Sequence, residues 1–328
     1  MIDNKVNSKI SGSIAISELT SQTIEIPFTR IIGKKETPLL TVSAGLHGSE
    51  YVGILAAHKL ANEITPSDLE GALTVLPLVN RGAFENFVRQ VNPLDGVNIN
   101  RVFPGKPNGS ISHQMAYNLF NIVISKSNFY IDLHGGEPGE FLTPYALYCE
   151  TGNSKVDEKS EELVGIFGMK YVWKMKTLSK HEPSSEQIVL SPDGMAAAEA
   201  AKSGIPSFIA ESGTDGKIDE KYVEVLYRGI LNVMKKTGVI SGQVQSAIEK
   251  PVFSDRHALV NASETGIKYI KVNAGDIVDE GQQLCETRSL SGTMKETITS
   301  PIHGVILSVR NNPISRPAEN IFLILGLD

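Results

Sequence analysis

Apolar runs alternate with helically spaced apolar positions along most of the chain. The run 38–43 predicts a buried strand, residues 50–64 carry apolar positions at helical spacing, and the run 72–79 predicts a second buried strand. A strand, a helix and a strand in this order predict a parallel pair. The same alternation continues through predicted helices at 113–125, 155–167, 195–202 and 219–236 and predicted strands at 128–134, 144–150, 170–175 and 205–211. The pattern predicts an α/β fold.

Both ends of the chain lack this helical period. Residues 1–37 predict a β lead-in, and from residue 251 onward the chain consists of short apolar segments and glycine turns. We therefore predict two domains, a larger one over 1–242 and a small all-β domain over 243–328.

The glycine and proline spacing of the C-terminal region resembles biotinyl/lipoyl-type barrels. Gly275-Asp276, Gly281 and the later Ser300-Pro301 segment carry this resemblance. Lys295 does not stand at the spacing of a carrier lysine. A structural or lid role is therefore preferred over a carrier role.

Composition restricts the class of protein. Hydrophobic residues make up 41% and charged residues 21% of the 328 residues, which is typical of globular proteins. The net charge of −6 gives no basic surface for nucleic acid. No apolar run approaches the roughly 20 residues of a membrane span, and the polar N-terminus lacks a signal-peptide core. We expect a cytoplasmic protein in which Cys149 and Cys285 are buried free thiols. The sequence leaves open whether the protein is a homo-oligomer.

A histidine and a glutamate follow the first predicted core strand. His47 and Glu50 lie on the turn between this strand and a helix, at the edge where open α/β sheets bind their ligands. Imidazole and carboxylate are both zinc ligands, and three positions of spacing let both reach one cation. The alternative is a simple helix start, with Ser49 as N-cap and Glu50 in the first turn.

Two further predicted strands end in residues capable of the same chemistry. His134 ends the strand 128–134, and Glu211 ends the strand 205–211. Two histidines and one carboxylate, with a fourth position open to water, form a catalytic zinc arrangement. A separate carboxylate then has to move the proton, and Glu211 suits this role. Asp132 shares a strand face with His134 and could orient the imidazole or accept from backbone.

The connection 80–112 is long, irregular and rich in asparagine, glycine and arginine, which is typical of functional loops. It places Arg81, Arg89 and Arg101 near strand ends. Guanidinium groups there suit recognition of carboxylates or carbonyls. The alternative is that these are solvated loop arginines.

Four segments together resemble the succinylglutamate desuccinylase/aspartoacylase family, which is related to the zinc carboxypeptidases. They are His47-x-x-Glu50, Asn100-Arg101-Val-Phe-Pro-Gly, Asp132-Leu-His134-Gly and the strand-end Glu211. The resemblance covers roughly residues 38–235, and the small β domain matches the C-terminal half of the family. It implies a zinc carboxypeptidase-like fold, with a mixed, largely parallel sheet flanked by helices.

The resemblance also implies roles for individual residues. His47, Glu50 and His134 match the ligands of one Zn²⁺ per chain, and Glu211 matches the general acid/base. The remaining matches are Asn100 and Arg101 as the pair that holds the substrate carboxylate, and Arg89 as the carbonyl-polarising arginine.

The chain departs from the family pattern at three places. Arg81 follows Asn80 where the family has proline, and the interval from Arg89 to Asn100 is longer than in aspartoacylase. Tyr269 is the only candidate we name for the substrate-binding tyrosine of the C-terminal domain. These departures favour the broader group of deacylases over aspartoacylase or succinylglutamate specificity.

The resemblance implies zinc-dependent hydrolysis of the amide bond of an N-acyl amino acid or a related small metabolite. One alternative is a zinc carboxypeptidase that acts on peptides. The other is a non-catalytic metabolite-binding protein on the same fold. The expected partner in each case is a small molecule or peptide, with neither nucleic acid nor membrane.

Overall fold

A nine-stranded sheet organises the chain in the computed structural model, which describes residues 5–18, 23–176 and 191–327. The first ten strands are β1 (Ser8–Glu18), β2 (Thr23–Ile32), β3 (Leu39–Ala44), β4 (Ala72–Leu76), β5 (Phe129–His134), β6 (Glu140–Leu142), β7 (Tyr145–Glu150), β8 (Tyr171–Lys176), β9 (Ser207–Glu211) and β10 (Val252–Ser254). The sheet has the order β1-β2-β4-β3-β5-β9-β7-β8-β10.

Four neighbouring strands at the centre of this sheet, β4, β3, β5 and β9, run parallel. Strands β7, β8 and β10 are parallel to one another but antiparallel to β9. The predicted parallel pair of β3 and β4 is confirmed, as is the mixed, largely parallel sheet. Because β3, β5 and β9 point the same way, their carboxyl ends meet at one edge of the sheet.

Six α-helices occur among the described residues. They are α1 (Tyr51–Glu63), α2 (Arg81–Glu85), α3 (Ile111–Ile122), α4 (Ser154–Phe167), α5 (Ala196–Lys202) and α6 (Glu220–Lys236). Apolar side chains of α1, α4 and α6 pack on one face of the large sheet, whereas those of α3 and α5 pack on the other. None of the helices in the described ranges has the length and apolarity that crossing a bilayer requires.

Eight strands follow in the C-terminal region. They are β11 (His257–Asn261), β12 (Gly266–Ile270), β13 (Ile277–Val278), β14 (Gln283–Arg288), β15 (Met294–Thr299), β16 (Gly304–Arg310), β17 (Ile314–Ser315) and β18 (Asn320–Gly326). They form two small antiparallel sheets around a core of their own, which includes Ile306 and Phe322. The first of these sheets turns its other face, with Leu307 and Leu323, toward the large sheet.

Two short strands cross between the regions. Strand β6 pairs with β16 of the C-terminal sheet, and β10 pairs with β8 of the large sheet. We propose to keep the domain division near residue 243, with these two strands exchanged across it.

Details of the sequence-based elements differ in the structure. The predicted helix 113–125 is α3 followed by a 3₁₀ turn at Ile124–Lys126. The irregular segment 80–112 holds only α2 and a 3₁₀ turn at Ile99–Arg101 before α3 begins. The predicted loop 176–193 lies largely outside the described residues. Cys149 and Cys285 are free and buried, as predicted.

Candidate functional site

His47 and Glu50 are held on a tight turn between β3 and α1. Gly45 adopts a φ of +65°, which favours glycine, and a Cβ on Gly48 would clash with the backbone at the start of Phe84. The turn directs His47 Nδ1 to Glu50 Oε1 at 2.7 Å, with both side chains buried. Ser49 does not cap α1, so the helix-start alternative does not describe this turn.

His134 reaches the same carboxylate from the end of β5. Its Nδ1 lies 2.8 Å from Glu50 Oε2, and the two imidazole rings stand 4.9 Å apart between centroids. Alternation along β5 places Tyr130, Asp132 and His134 on one face of the sheet, while Ile131 and Leu133 pack under α1. The sheet register therefore brings together two residues that are 84 positions apart.

The other ring nitrogen of each histidine faces an oxygen acceptor. His47 Nε2 lies 3.2 Å from Asn98 Oδ1, and His134 Nε2 lies 2.9 Å from Asp132 Oδ2. Because these oxygens accept hydrogen bonds, each Nε2–H donates to them. Each Nδ1 then faces an oxygen of Glu50, and either a proton or a cation can bridge the two atoms. Asp132 thus orients an imidazole, the first of its two predicted roles, and in turn accepts from Ser43 at 2.6 Å.

The donor set fits a divalent cation such as zinc. One ligand atom each from His47, Glu50 and His134 lie within 4.8 Å of one another, and all three residues are buried. Although burial opposes its charge, the two histidines lower the pKa of Glu50 to about 2. Burial disfavours a charged His134, yet Glu50 and Asp132 raise its pKa well above the ordinary value. A cation that binds between the histidines and Glu50 would therefore have to displace protons from these groups.

Glu211 ends β9 directly beside this cluster. Its partner in the parallel ladder of β5 and β9 is His134, and Tyr145 is its partner on the other side in β7. Burial raises the pKa of Glu211 to about 8, against the opposing effect of His134 and with support from Glu50. A carboxyl group with this pKa can hold a proton near neutral pH.

The predicted substrate-binding pair lies next to the cluster. Asn100 is buried, with its Nδ2 at 3.1 Å from His134 Nε2 and its Oδ1 accepting from the Ala196 backbone N–H. Arg101 lines the same cavity, is exposed on its outer side, and donates to the Asn100 carbonyl at 2.7 Å.

Arg89 lies elsewhere. Its side chain is exposed beside Gly139 and does not line the cavity, whereas the neighbouring Gln90 does. Arg81 pairs with Glu85 at 2.6 Å on the surface, and Tyr269 is exposed beneath the Arg288 guanidinium. The structure therefore brings Asn100 and Arg101 to the cluster but leaves these three side chains outside it.

The cavity at this edge has a volume of about 360 Å³. The C-terminal sheet supplies one wall of it, with polar groups from Asn261, Ser308, Arg310 and Asn320. Sequence reasoning missed these residues. A polar period-two signal does exist at Ser308 and Arg310, yet only the pairing of β16 with β6 shows that this face reaches the site.

Two more glutamates follow the His134 loop. Glu140 lines the cavity opposite Arg310 in the register of β6 and β16, and burial raises its pKa. Glu137 is buried, its Oε2 accepts from Gln90 at 3.3 Å, and its Oε1 has no hydrogen-bond partner among the described residues. Burial and Glu50 raise the pKa of Glu137 to about 7.

Comparison with known proteins agrees with the predicted family. A family model described as the succinylglutamate desuccinylase/aspartoacylase catalytic domain matches residues 36–237. The chain is also 26% identical, over 271 residues, to an N-alpha-acetyl-L-2,4-diaminobutyric acid deacetylase of Halomonas elongata. This match covers 82% of this chain and 75% of the relative.

Solved structures share the whole fold. A succinylglutamate desuccinylase/aspartoacylase from Rhodobacter sphaeroides superposes with a TM-score of 0.86 at 21% identity, covering 99% of this chain and 98% of its own. The product-bound ectoine utilization protein EutE (DoeB) from Ruegeria pomeroyi has a TM-score of 0.87 at 20% identity, with the same coverage. The architecture therefore extends over both regions of the chain.

Proposed function

The chain belongs to the succinylglutamate desuccinylase/aspartoacylase family, and from this premise we propose that it is a zinc-dependent amidohydrolase of N-acyl amino acids or related small metabolites. This proposal rests on the convergence of His47, Glu50 and His134 beside a fourth ionisable group, Glu211. The Halomonas relative, named as a deacetylase of an N-acyl amino acid, supports the proposed substrate class.

In this proposal His47, Glu50 and His134 hold one Zn²⁺. When bound, zinc supplies an acidified water and polarises the scissile carbonyl. Asn98 and Asp132 keep the two imidazole rings in the tautomer that leaves Nδ1 free for the metal. All three side chains are buried, which limits their contact with bulk water.

Glu211 moves the proton. It accepts a proton from the attacking water and passes it to the nitrogen as the C–N bond breaks, so that a carboxylate and an amine leave. Its raised pKa suits the second step, because a carboxyl group of ordinary pKa holds a proton poorly near pH 7.

Asn100 and Arg101 are proposed to bind the carboxylate of the amino acid. A guanidinium can make two parallel hydrogen bonds to a carboxylate, and Arg101 stands at the open side of the cavity. For Arg89 we keep the role of carbonyl-polarising arginine as a proposal that requires its loop to rearrange, since its side chain is outside the cavity.

A panel of substrates tests this function against its alternatives. The purified, zinc-loaded protein is assayed with N-acyl amino acids and, in parallel, with peptides that have a free C-terminus. We expect release of amino acid from members of the first group only. Turnover of peptides alone would establish the carboxypeptidase instead, and tight binding without turnover would establish the non-catalytic protein.

The cytoplasmic location and a homo-oligomeric state stay predictions.

A further inference from the structure

An apolar floor extends sideways from the metal cluster across the large sheet. Two residues before His134 and Glu211, on the same face of the sheet, a row of paired residues crosses four strands. In the order of pairing, the row consists of Asp132, Ile209, Leu147 and Trp173. All of these side chains lie on the same face. Beyond Asp132 this row contains only large apolar or aromatic groups. With about 4.8 Å between strands, it runs for roughly 14 Å from β5 to β8.

The C-terminal region covers this floor. Leu259 on β11 and Leu323 on β18 line the same cavity from above, together with Leu142 on β6. Their neighbours Val260 and Phe322 point the other way, into the small core between the two C-terminal sheets. Strand alternation therefore places apolar side chains of this wall over the apolar floor, while Asn261, Ser308 and Asn320 belong to the same wall. We call the space between this wall and the floor the trough.

Charge is distributed unevenly along the cavity. Arg101, Glu140 and Arg310 lie toward solvent, and each is at least partly exposed. The floor residues Leu147 and Trp173 are almost fully buried and carry no charge. The indole N–H of Trp173 has no hydrogen-bond partner among the described residues, and one neutral donor does not compensate the burial of a carboxylate.

We propose that the trough binds the acyl chain of the substrate, and that this chain is an uncharged aliphatic group longer than acetyl, from butyryl to octanoyl. The inference rests on the proposed function. The amino acid, which carries the carboxylate, stays beside Arg101 at the solvent side, so the uncharged acyl group extends over Ile209 and Leu147. Each methylene buried there strengthens binding by about fourfold. A succinyl group would place its second carboxylate among apolar side chains and is disfavoured.

A matrix of acyl groups and amino acids tests the assignment by activity. Acetyl, hexanoyl and succinyl derivatives of aspartate, glutamate, leucine and 2,4-diaminobutyrate are compared by kcat/KM. We expect hexanoyl to exceed acetyl by at least tenfold on the preferred amino acid, with succinyl lowest. A preference for acetyl or succinyl would overturn the proposal. So would a preference that follows an apolar amino-acid side chain, because the trough would then hold that side chain.

A second readout does not depend on turnover. Trp173 is the only tryptophan of the chain, so intrinsic emission reports on the floor of the trough directly. Hexanoate, acetate and succinate are titrated into metal-free protein. We expect a saturable change in emission with hexanoate and none with the other two at equal concentration. If no substrate is hydrolysed but hexanoate still changes the emission, the proposed reaction fails while the trough stands. The absence of any change with hexanoate overturns the trough.

A substitution that narrows the trough separates its two ends. In Leu259→Phe the larger ring enters from the wall above the floor, where Leu259 is only partly buried. The kcat/KM for the hexanoyl substrate should fall at least tenfold relative to that for the acetyl substrate. Leu290→Phe, at a position that is 91% exposed, is the matched control and should change neither value. Equal losses for both substrates in Leu259→Phe would show that the acyl chain lies elsewhere.

Discussion

Glu211 lies directly beside His134 in the parallel ladder of β9 and β5. The relationship is built into the backbone register, because the two residues occupy the same level of adjacent strands and project from the same face. A carboxyl group is thereby fixed one strand away from the ligand cluster without belonging to it. This arrangement separates holding the metal from moving the proton.

Replacing Glu211 with Gln should remove the proton carrier and keep its shape. General acid–base catalysis contributes about 10²- to 10⁴-fold, so kcat for the best N-acyl amino acid should fall by at least the lower factor. Zinc content and substrate binding should survive. Glu150→Gln is the matched control, since Glu150 also ends a strand of this sheet but does not line the cavity.

Two results for Glu211→Gln would contradict the assignment. Loss of zinc would make Glu211 a ligand in place of Glu50. Full activity would place the base elsewhere, and Glu140 would then be tested before Glu137, because only Glu140 lines the cavity.

The metal cluster should bind about one zinc per chain. Elemental analysis of the purified protein measures the ratio, and a chelator should abolish activity until zinc is restored. His134→Ala should lose the metal, because two ligands cannot hold it in a buried site of this kind. His58→Ala, at an exposed position on α1, should keep it. Absence of any divalent metal from the active protein would refute the site.

Asn98 should matter for metal affinity although it is not a ligand. Its Oδ1 accepts from His47 Nε2 and fixes that ring. Loss of such an outer partner costs about 10- to 100-fold in affinity or activity, and we expect Asn98→Ala to weaken zinc binding by that factor in a competition titration. Asn86→Ala, on an exposed residue at the end of α2, serves as the control. Unchanged affinity in Asn98→Ala would mean that the ring is held without this contact.

Arg101 should recognise a carboxylate by its fork of donors. Converting the carboxylate of the amino acid to an amide should lower kcat/KM of the unmodified protein. Arg101→Lys should lose this preference for the acid over the amide, since an ammonium group cannot form the bidentate pair. The comparison of both substrates on both proteins measures this coupling. Equal turnover of acid and amide by the unmodified protein would rule out the role.

Glu137 should make stability depend on pH. Its pKa of about 7 in the folded state lies above that of an exposed glutamate, so the folded protein keeps the proton longer than the unfolded chain does. Stability is therefore lost as the pH rises from about 4.5 to 7. In metal-free protein, Glu137→Gln should raise the free energy of unfolding by about 3 kcal/mol at pH 8 and leave it nearly unchanged at pH 4.5. Denaturant unfolding at both pH values measures this, and equal effects at both would contradict it.

The strand-end residues of the site can be predicted from the sequence for a physical reason. An apolar run followed by a turn marks the carboxyl end of a strand, and parallel strands bring such ends together, so the sequence alone suffices to group His47, His134 and Glu211. The wall of the cavity that the C-terminal sheet supplies cannot be predicted in this way. Ser308 and Arg310 reach the cavity only because β16 pairs with β6 and contains an irregular register step near Ile306, neither of which leaves a local signal.

The exchange of β6 and β10 constrains how this architecture can be recombined. A fragment that ends at residue 242 loses β10 from the edge of the large sheet and leaves β6 without its partner β16. Two unpaired edges and an uncovered apolar face would promote self-association. In a chimaera of two relatives, each strand therefore has to come from the same parent as the sheet with which it pairs, whatever its position in the sequence. The segment 140–142 must come from the donor of the C-terminal sheet, and 252–254 from the donor of the large sheet.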